Sequence, residues 1–207
     1  MPKNTFFRLP EEKRLRLTEA AWQEFIRTSC TDGSINRIVQ TAHIPRGSFY
    51  QYFTGKEDLF SFLMRDLHAA FWQELYHALE SHGGALSAAL PALFDDWFLR
   101  KSVLPLPAYR MWQLLLKNPA LDWQQFVFPS SAPTLPHRVR TLLAGSPAAP
   151  GYGEQGETAG ILAIGTFAGI CKQCLFSPEL AYLRRQELLR AIQVLFRPPA
   201  AVLAERA

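Results

Sequence analysis

A set of polar side chains between residues 46 and 56 has the chemistry required to bind a nucleic acid. The guanidinium group of Arg46 can donate two parallel hydrogen bonds to the edge of a guanine base. Shorter polar groups can bond to other base edges, and phenol and ammonium groups can bond to phosphate oxygens. The base-contacting candidates are Ser48 and Gln51, and the phosphate-contacting candidates are Tyr50, Tyr52 and Lys56.

The excess positive charge of the chain lies in the segment that contains these side chains. The 207 residues carry a net charge of +4, and residues 1–56 account for all of it with nine basic and five acidic residues. Residues 57–207 contain 13 of each and are neutral overall. Because basic segments bind polyanions by neutralising phosphates, this distribution favours a nucleic acid as the partner of the first quarter of the chain.

Residues 11–29 are predicted to form the supporting helix of this segment. Its apolar side chains recur at every fourth position, the period of a helix with one buried face. They are Leu17, Ala21 and Phe25. Glu19 and Glu24 are expected on the solvent-facing side, and the helix is expected to end before the turn-forming pair Asp32-Gly33.

Two short helices joined by a tight turn are predicted within residues 34–53. Ser34 is a suitable N-cap for the first, and the second covers about residues 46–52. Helix-turn-helix proteins use this geometry to place the second helix in the major groove of DNA. Phe49 and Phe53 lie four residues apart and are expected to pack the second helix against the supporting helix.

Four stretches of this region resemble the N-terminal domain of TetR-family regulators, in the same order and spacing. They cover residues 17–25, 34–39, 46–53 and 56–60, and the most specific part is Gly47-Ser-Phe-Tyr-Gln-Tyr-Phe53 followed by Lys56-Glu-Asp-Leu59. The resemblance implies that the DNA contacts of the family fall, in this chain, at Ser34, Asn36, Arg46, Ser48, Tyr50, Gln51, Tyr52 and Lys56.

Two residues of the turn depart from the family pattern. His43 stands where glycine is usual and is expected to adopt a left-handed backbone conformation, which histidine tolerates better than most residues. Pro45 stands where a serine-type cap is common, so one capping hydrogen bond is expected to be missing, although proline suits the start of a helix. Downstream, Thr54 and Glu57 are expected to form a capping box, with Asp58 favourable to the helix dipole.

The remainder of the chain is predicted to be entirely helical. A long helix from about residue 56 to 81 ends at Gly83-Gly84. Further helices are predicted at about residues 85–101, 106–117, 120–128, 134–144, 154–176 and 179–196. The fold is therefore expected to be all-α, with a helix-turn-helix DNA-binding domain at residues 1–56 and a helical effector-binding and dimerisation domain at residues 57–207.

The last two helices are predicted to form a homodimer interface, as the resemblance implies. The first, at residues 154–176, contains small residues that permit close helix approach: Ala159, Gly160, Ala163, Gly165, Ala168 and Gly169. The second, at residues 179–196, supplies an apolar face: Leu180, Leu183, Leu188, Ala191, Ile192 and Leu195. A two-fold dimer would bind the two halves of a near-palindromic operator. Packing within one chain is the alternative for both helices.

Aromatic side chains are frequent in the middle helices, where most such stripes are plain core. The family resemblance implies an effector cavity among them. The side chains expected to line a pocket for an apolar or aromatic small molecule are Phe62, Trp97, Tyr109, Trp112 and Phe126. Asp95 and Asp96 can add affinity for a cationic molecule, although a solvated helix edge is the simpler interpretation of these carboxylates.

Signatures of metal binding, redox chemistry and catalysis are weak in the sequence. Cys171 and Cys174 lie in an apolar helix without a second pair of ligands, which favours buried structural cysteines over a sensor. The five histidines have no metal-binding spacing, and the sequence has no Gly-rich phosphate loop, nucleophile elbow or His-Glu-x-x-His pair. We therefore expect no enzyme activity, no metal and no cofactor.

The composition is that of a globular protein, with 48% hydrophobic and 19% charged residues. No apolar run is expected to approach the roughly 20 residues that span a bilayer. Residues 1–10 lack the pattern of a signal peptide, and an odd number of cysteines fits a disulfide framework poorly. The sequence therefore predicts a cytoplasmic protein that does not bind membranes.

Together these features predict a DNA-binding transcriptional regulator, most simply a dimeric repressor that a small, largely apolar or aromatic effector releases from its operator. Effector binding is expected to shift the helix at residues 56–81 and so change the spacing of the two recognition helices. The alternative is a small-molecule binding protein with a vestigial DNA-binding domain. A helical enzyme is a third alternative, which the missing catalytic signatures disfavour.

Overall fold

The computed structural model describes residues 2–100, 106–119, 126–128, 134–146 and 154–196. Within these ranges all regular structure is helical, which confirms the predicted all-α class. The α-helices are α1 (Asn4–Phe7), α2 (Glu11–Arg27), α3 (Ile35–Thr41), α4 (Arg46–Tyr52), α5 (Lys56–Ser81), α6 (Leu86–Phe94), α7 (Leu106–Lys117), α8 (His137–Ala144), α9 (Glu154–Phe176) and α10 (Ala181–Leu195). A π-helical turn (Asp95–Leu99) follows α6, and a 3₁₀ turn (Pro178–Leu180) precedes α10.

Most helix bounds agree with the sequence pattern, because periodicity and capping are local properties. The bounds of α4, α5, α7 and α9 are those predicted. Two differences matter: α1 was not predicted, and the single helix expected at residues 85–101 is divided into α6 and a π-turn. The helix predicted at residues 120–128 lies mostly outside the described residues.

The start of α5 is capped by a different residue from the one predicted. The carboxylate of Asp58 accepts hydrogen bonds from the backbone N–H and the hydroxyl of Thr54, at 3.0 and 3.2 Å. A capping box between Thr54 and Glu57 requires the helix to begin at Gly55. Because α5 begins at Lys56, Asp58 occupies the position that reaches back to Thr54.

Helix α5 ends before Gly83-Gly84, as the sequence predicted, and the position of Gly84 requires a glycine. Gly84 has a φ of +78°, and its N–H donates to the carbonyl oxygen of Leu79 at 2.8 Å. A Cβ atom at Gly84 would lie 2.5 Å from the carbonyl oxygen of Leu142. A larger residue would therefore be both strained in its backbone and too close to the end of α8.

The chain divides into two compact units. We call Met1–Ala70 with Pro105–Leu121 the N-terminal unit, and Phe71–Leu104 with Asp122–Ala207 the C-terminal unit. Helix α5 contributes residues to both. The domain boundary after residue 56 stays a prediction.

The core of the N-terminal unit forms around α2, whose predicted apolar stripe is fully buried. Leu17, Ala21 and Phe25 each have 0% exposure. Helix α2 packs against α3 and α7, while α4 packs against α3 and α1. The supporting role predicted for residues 11–29 is therefore filled by α2, and α1 and α7 are additional supports of the same unit.

The core of the C-terminal unit forms where α9 packs against α6 and α10. Phe94, Phe167 and Leu188 are fully buried there. This corrects part of the predicted partner face, because Leu188 and Ile192 are buried within the chain itself. Among the small residues of α9, Gly160, Ala163 and Ala168 are likewise buried.

Both carboxylates of the π-turn are paired with arginine. Asp96 lies at an exposed helix edge, as the simpler interpretation expected, whereas Asp95 is largely buried, which corrects that interpretation for this residue. Asp95 accepts two hydrogen bonds from the guanidinium group of Arg185 on α10, at 2.5 and 2.8 Å. Asp96 forms an ion pair with Arg100 at 2.7 Å. A fork-shaped donor matched to a carboxylate fixes the π-turn against α10.

The apolar character of α9 exceeds what we expected from the sequence. By length and composition, Gly156–Phe176 is a helix that could cross a membrane, with a mean hydropathy of 1.5. The expectation that no apolar run approaches that length is therefore wrong for this segment. In this structure the apolar residues of α9 include Ile164 and Phe167, which are fully buried in the C-terminal unit.

Candidate nucleic-acid interface

Helices α3 and α4 are joined by the tight turn that the sequence predicted. Ser34 caps α3, because its hydroxyl oxygen accepts a hydrogen bond from the N–H of Arg37 at 3.4 Å. At the other end, His43 has a φ of 53°, which confirms the predicted left-handed conformation. Its N–H donates to the carbonyl of Gln40 at 3.1 Å, and the N–H of the next residue, Ile44, donates to Val39 at 3.0 Å. This is a Schellman motif with histidine in the position that glycine usually occupies.

Helix α4 has one buried and one exposed face. Phe49 and Phe53 have 0% exposure, which confirms their predicted burial. Their contact with the supporting helix α2 stays a prediction. The ring of Phe53 contacts Phe6 of α1 and Phe62 of α5, with centroids 4.9 and 6.1 Å apart. The exposed face therefore carries the polar side chains, and the helix starts after Pro45 without a side-chain cap, as expected.

Arg46 is held at the start of the exposed face by two of the other predicted contacts. One guanidinium nitrogen donates to the side-chain oxygen of Asn36 on α3. A second donates to the hydroxyl of Tyr50 at 3.4 Å, and the guanidinium lies 6.0 Å from the centre of that ring. The structure thus brings Asn36, Arg46 and Tyr50 into one polar cluster, which we call the reading cluster.

The remaining predicted DNA contacts lie around this cluster with different exposures. Gln51 is exposed, while Ser34, Ser48 and Tyr52 are half-buried. The ammonium group of Lys56 donates to the backbone carbonyls of Thr31 and Gly33, the latter at 3.3 Å. In this structure Lys56 therefore stabilises the loop before α3.

Glu24 is buried and forms ion pairs within the module, so the prediction that it faces solvent is wrong. Its side chain is 5% exposed and forms ion pairs with Arg27 at 2.9 Å and with Arg37 at 3.0 Å. It also accepts a hydrogen bond from the backbone N–H of Ser34 at 2.8 Å. One carboxylate thus joins α2 to the first turn of α3. Its position seven residues after Leu17, on the buried stripe, is the sequence signal that could have revealed it.

The environment of Glu24 favours its charged form. Burial alone raises the pKa of this carboxyl, but the hydrogen bonds from Arg37, from the N–H of Ser34 and from Arg27 outweigh it. The pKa consequently lies below the ordinary value of 4.5. The carboxylate is therefore ionised, and its bonds intact, at neutral pH.

The C-terminal end of α4 is bonded to residues around α1. The backbone N–H and ammonium group of Lys3 donate to the carbonyls of Tyr52 and Tyr50, at 2.8 and 2.7 Å. The hydroxyl of Thr5 donates to the carbonyl of Gln51. Sequence reasoning missed both residues, because a four-residue helix has no measurable periodicity. The adjacent pair of aromatics in α1 was the available signal.

The predicted effector contacts are divided between the two units. Phe62 and Tyr109 belong to the N-terminal unit, where Phe62 contacts Phe6 at 5.2 Å and Tyr109 is 44% exposed. Trp97 and Phe126 belong to the C-terminal unit, where Trp97 is buried and contacts Phe167 at 5.6 Å. The side chain of Trp112 lies outside the described part of the structure.

Cys171 and Cys174 are both fully buried. Burial raises the pKa of Cys171 well above its ordinary value and the pKa of Cys174 to about 11. Thiols in this state are poor nucleophiles and poor metal ligands. Their surroundings therefore favour the structural interpretation.

The supported, capped pair α3 and α4, with a polar exposed face, is a helix-turn-helix module. Residues 17–62 match the sequence model TetR_N, described as bacterial regulatory proteins of the tetR family. This part of the chain is therefore similar to the N-terminal domain of the tetR family, which agrees with the resemblance seen in the sequence.

One curated relative and two solved structures are similar to this chain over different shares of its length. An uncharacterized HTH-type transcriptional regulator of Bacillus subtilis (strain 168), YdgC, is 40% identical over 58 residues, which are 28% of this chain and 30% of that protein. A TetR-family regulator from Chloroflexus aurantiacus J-10-FL is 24% identical with a TM-score of 0.45, over 95% of this chain and 97% of that one. A TetR regulator from Rhodococcus sp. RHA1 is 14% identical with a TM-score of 0.49, over 89% of this chain and 94% of that one.

Proposed function

We propose that this protein is a DNA-binding transcriptional regulator that reads DNA with α4. The observation that carries the proposal is the reading cluster: Arg46 stands on the exposed face of α4, oriented by Asn36 and Tyr50. A recognition helix needs a rigid buried face and an exposed donor, and Phe49 and Phe53 provide the first.

The proposed contacts follow from side-chain chemistry and position. Arg46 donates to a guanine edge, and Gln51 and Ser48 bond to neighbouring bases. The hydroxyl groups of Ser34, Tyr50 and Tyr52 bond to phosphates, and Lys56 adds positive charge beside the loop that precedes α3.

Selection of duplexes from a random DNA pool, followed by binding titrations, tests the proposal. Arg46→Ala is expected to weaken binding of the selected duplex by about 5- to 150-fold, the effect of losing one bidentate base contact. Arg16→Ala is the matched control, because Arg16 is a half-exposed arginine paired with Glu12 on α2. Failure of the wild-type protein to select DNA at low salt, or an unchanged affinity of Arg46→Ala, would contradict the proposal.

Asn36 provides a finer test of the same site. Because its side-chain oxygen bonds to Arg46, we propose that Asn36 acts on DNA by orienting that guanidinium. In a double-mutant cycle, Asn36→Ala is then expected to weaken binding in the wild-type background and to have almost no effect in Arg46→Ala. Additive losses would instead assign Asn36 its own DNA contact.

We propose further that the protein is a homodimer through α9 and α10. The support is an apolar outer face: Leu162, Leu183 and Val194 are 53%, 51% and 76% exposed. A groove of about 390 Å³ on this face is lined by Leu162, Thr166, Arg190, Ala191, Val194 and Leu195. Exposed large apolar patches of this kind commonly mark protein interfaces.

Charge insertion on that face tests the dimer. Val194→Glu is expected to give a monomer in light scattering after size exclusion, since it places a charge in the groove. Gln193→Glu introduces the same side chain at the exposed neighbouring position and is expected to stay dimeric. A monomeric wild-type protein, or a dimeric Val194→Glu variant, would remove this part of the proposal.

Repression, and release of a near-palindromic operator by an apolar or aromatic effector, complete the proposed function. The candidate effector contacts remain Phe62, Trp97, Tyr109, Trp112 and Phe126. A thermal-shift screen of small aromatic compounds, repeated on Tyr109→Ala and Trp112→Ala, tests them. A hit whose shift is unchanged in both variants would show that these two residues do not contact it.

A further inference from the structure

The last turn of α4 depends on residues outside the helix for its hydrogen bonds. A helix leaves its final four carbonyl groups without partners inside the helix. In α4 the first of them, at Phe49, accepts from the N–H of Phe53 at 2.9 Å. The other three, at residues 50, 51 and 52, accept from Lys3 and Thr5. Every one of these carbonyls is therefore satisfied.

The donors are held in place by an aromatic anchor. Phe6 of α1 is fully buried, and its ring contacts Phe53 at 4.9 Å and Phe62 at 5.2 Å. A helix of four residues is not stable by itself, because nucleation of a helix is unfavourable. Burial of Phe6 is thus what presents Lys3 and Thr5 to the end of α4.

We propose that α1 and Lys3 form a clasp that positions the recognition helix for DNA, with Lys3 and Thr5 as positioning residues. The inference rests on the proposed function, since α4 must read DNA for its position to matter. The carbonyl that accepts from the ammonium group of Lys3 belongs to Tyr50, and the hydroxyl of Tyr50 accepts from Arg46. The clasp and the base-reading arginine are therefore connected through one residue.

The clasp is distinguishable from a direct phosphate contact by Lys3. Removal of a lysine that neutralises a phosphate lowers the magnitude of the slope of log K against log[salt] by about 0.9. A lysine whose ammonium is bonded to a carbonyl changes affinity through the geometry of α4 and leaves that slope unchanged. Thr5 carries no charge, so its removal isolates the geometric effect.

The first experiment measures binding to a duplex that the wild-type protein has selected from a random pool. Thr5→Val keeps the shape of the side chain and removes the hydroxyl, and Lys3→Ala removes the ammonium. Each of these two variants is expected to bind the duplex about 3- to 10-fold more weakly, with an unchanged salt slope. Thr5→Ser keeps the hydroxyl group and is expected to bind with wild-type affinity. Lys117→Ala, at an exposed lysine of α7, is the charge control and is expected to bind normally.

The second experiment needs no DNA, so it separates the clasp from the proposed function. Amide hydrogen exchange in the segment 50–56 is expected to be faster in Thr5→Val and Lys3→Ala, with no faster exchange in α9. Unchanged exchange, wild-type binding by Thr5→Val, or a salt slope reduced by about 0.9 in Lys3→Ala would each overturn the clasp. If the wild-type protein selects no DNA while both variants still show faster exchange in the segment 50–56, the proposed function alone would be overturned.

Discussion

Replacement of Glu24 by glutamine is expected to destabilise the N-terminal unit by about 2–3 kcal/mol. The carboxylate is 5% exposed, and its ion pairs with Arg27 and Arg37 are 2.9 and 3.0 Å long. Hydrogen bonds to charged groups contribute about 1.5–3 kcal/mol each, but glutamine has the same shape and keeps one acceptor. The two arginines are 54% and 52% exposed, so water can solvate them again. The loss therefore stays below the roughly 3–5 kcal/mol of a fully buried pair.

Thermal and urea unfolding measure this effect against a control on the same helix. For a chain of this size, 1 kcal/mol corresponds to about 2–4 °C, so a decrease in Tm of roughly 4–12 °C is expected. Glu12→Gln is the control, because Glu12 is 82% exposed and its pair with Arg16 spans 3.2 Å on the surface. Exposed pairs of this kind contribute at most about 1 kcal/mol, so its effect is expected to be small.

The pH dependence of the stability difference between wild type and Glu24→Gln tests whether the charge of the Glu24 carboxylate is its cause. The pKa of Glu24 is below its ordinary 4.5 in the folded state, so the unfolded state takes up the proton first as the pH falls. Stabilisation by the carboxylate is complete above pH 4.5 and is lost as the pH falls through the lower, folded-state pKa. The difference in free energy of unfolding between wild type and Glu24→Gln is thus expected to decrease in acid. A gap no larger than that of Glu12→Gln, or one that widens in acid, would refute the reasoning.

Three further predictions follow from the geometry. His43→Gly is expected to leave the Tm unchanged or raise it slightly, whereas His43→Val is expected to lower stability by about 1–2 kcal/mol in calorimetry, because a β-branched residue is strained at a φ of 53°. Burial raises the pKa of both Cys30 and Cys174, that of Cys174 to about 11, but only Cys30 is partly exposed. Iodoacetamide at pH 8 is therefore expected to modify Cys30 and not Cys174, and equal labelling in mass spectrometry would contradict the burial of Cys174. Arg185→Met is expected to lower stability by about 1–2 kcal/mol in urea unfolding, since it leaves the carboxylate of Asp95 half-buried and unpaired; an unchanged midpoint would show that this pair contributes nothing.

The position and type of most helices could be predicted from the sequence because their causes lie within a few residues. The bounds of α4 and α5, the Ser34 cap and the left-handed His43 all follow from neighbouring side chains and backbone sterics. The predicted partner of Thr54 was wrong by one residue, because both Glu57 and Asp58 can supply the carboxylate and only the start of α5 decides between them.

Two parts of the candidate site could not be predicted in this way. The spacing from Leu17 places Glu24 on the buried face of α2, but its charge ordinarily assigns such a residue to solvent. Only the approach of Arg37 and Ser34 from the next helix makes its burial favourable, and no local pattern contains that approach. Likewise, Lys3 meets Tyr50 across 47 positions of the chain, and no local pattern contains that separation. The same reason applies to Leu188 and Ile192, whose apolar side chains fit an internal core and a partner equally well.

The sequence by itself determined the chemistry and the local frame of this protein: the side chains of residues 46–52, the helix that carries them and the turn before it. Periodicity, capping and steric rules act over one or two helical turns, which is enough to specify those features. The tertiary structure decided which of the side chains act together. It placed Asn36 beside Arg46, buried Glu24 between two arginines and bonded the end of α4 to Lys3 and Thr5. Those partners are set by packing between helices that are distant along the chain, and packing depends on all of them at once.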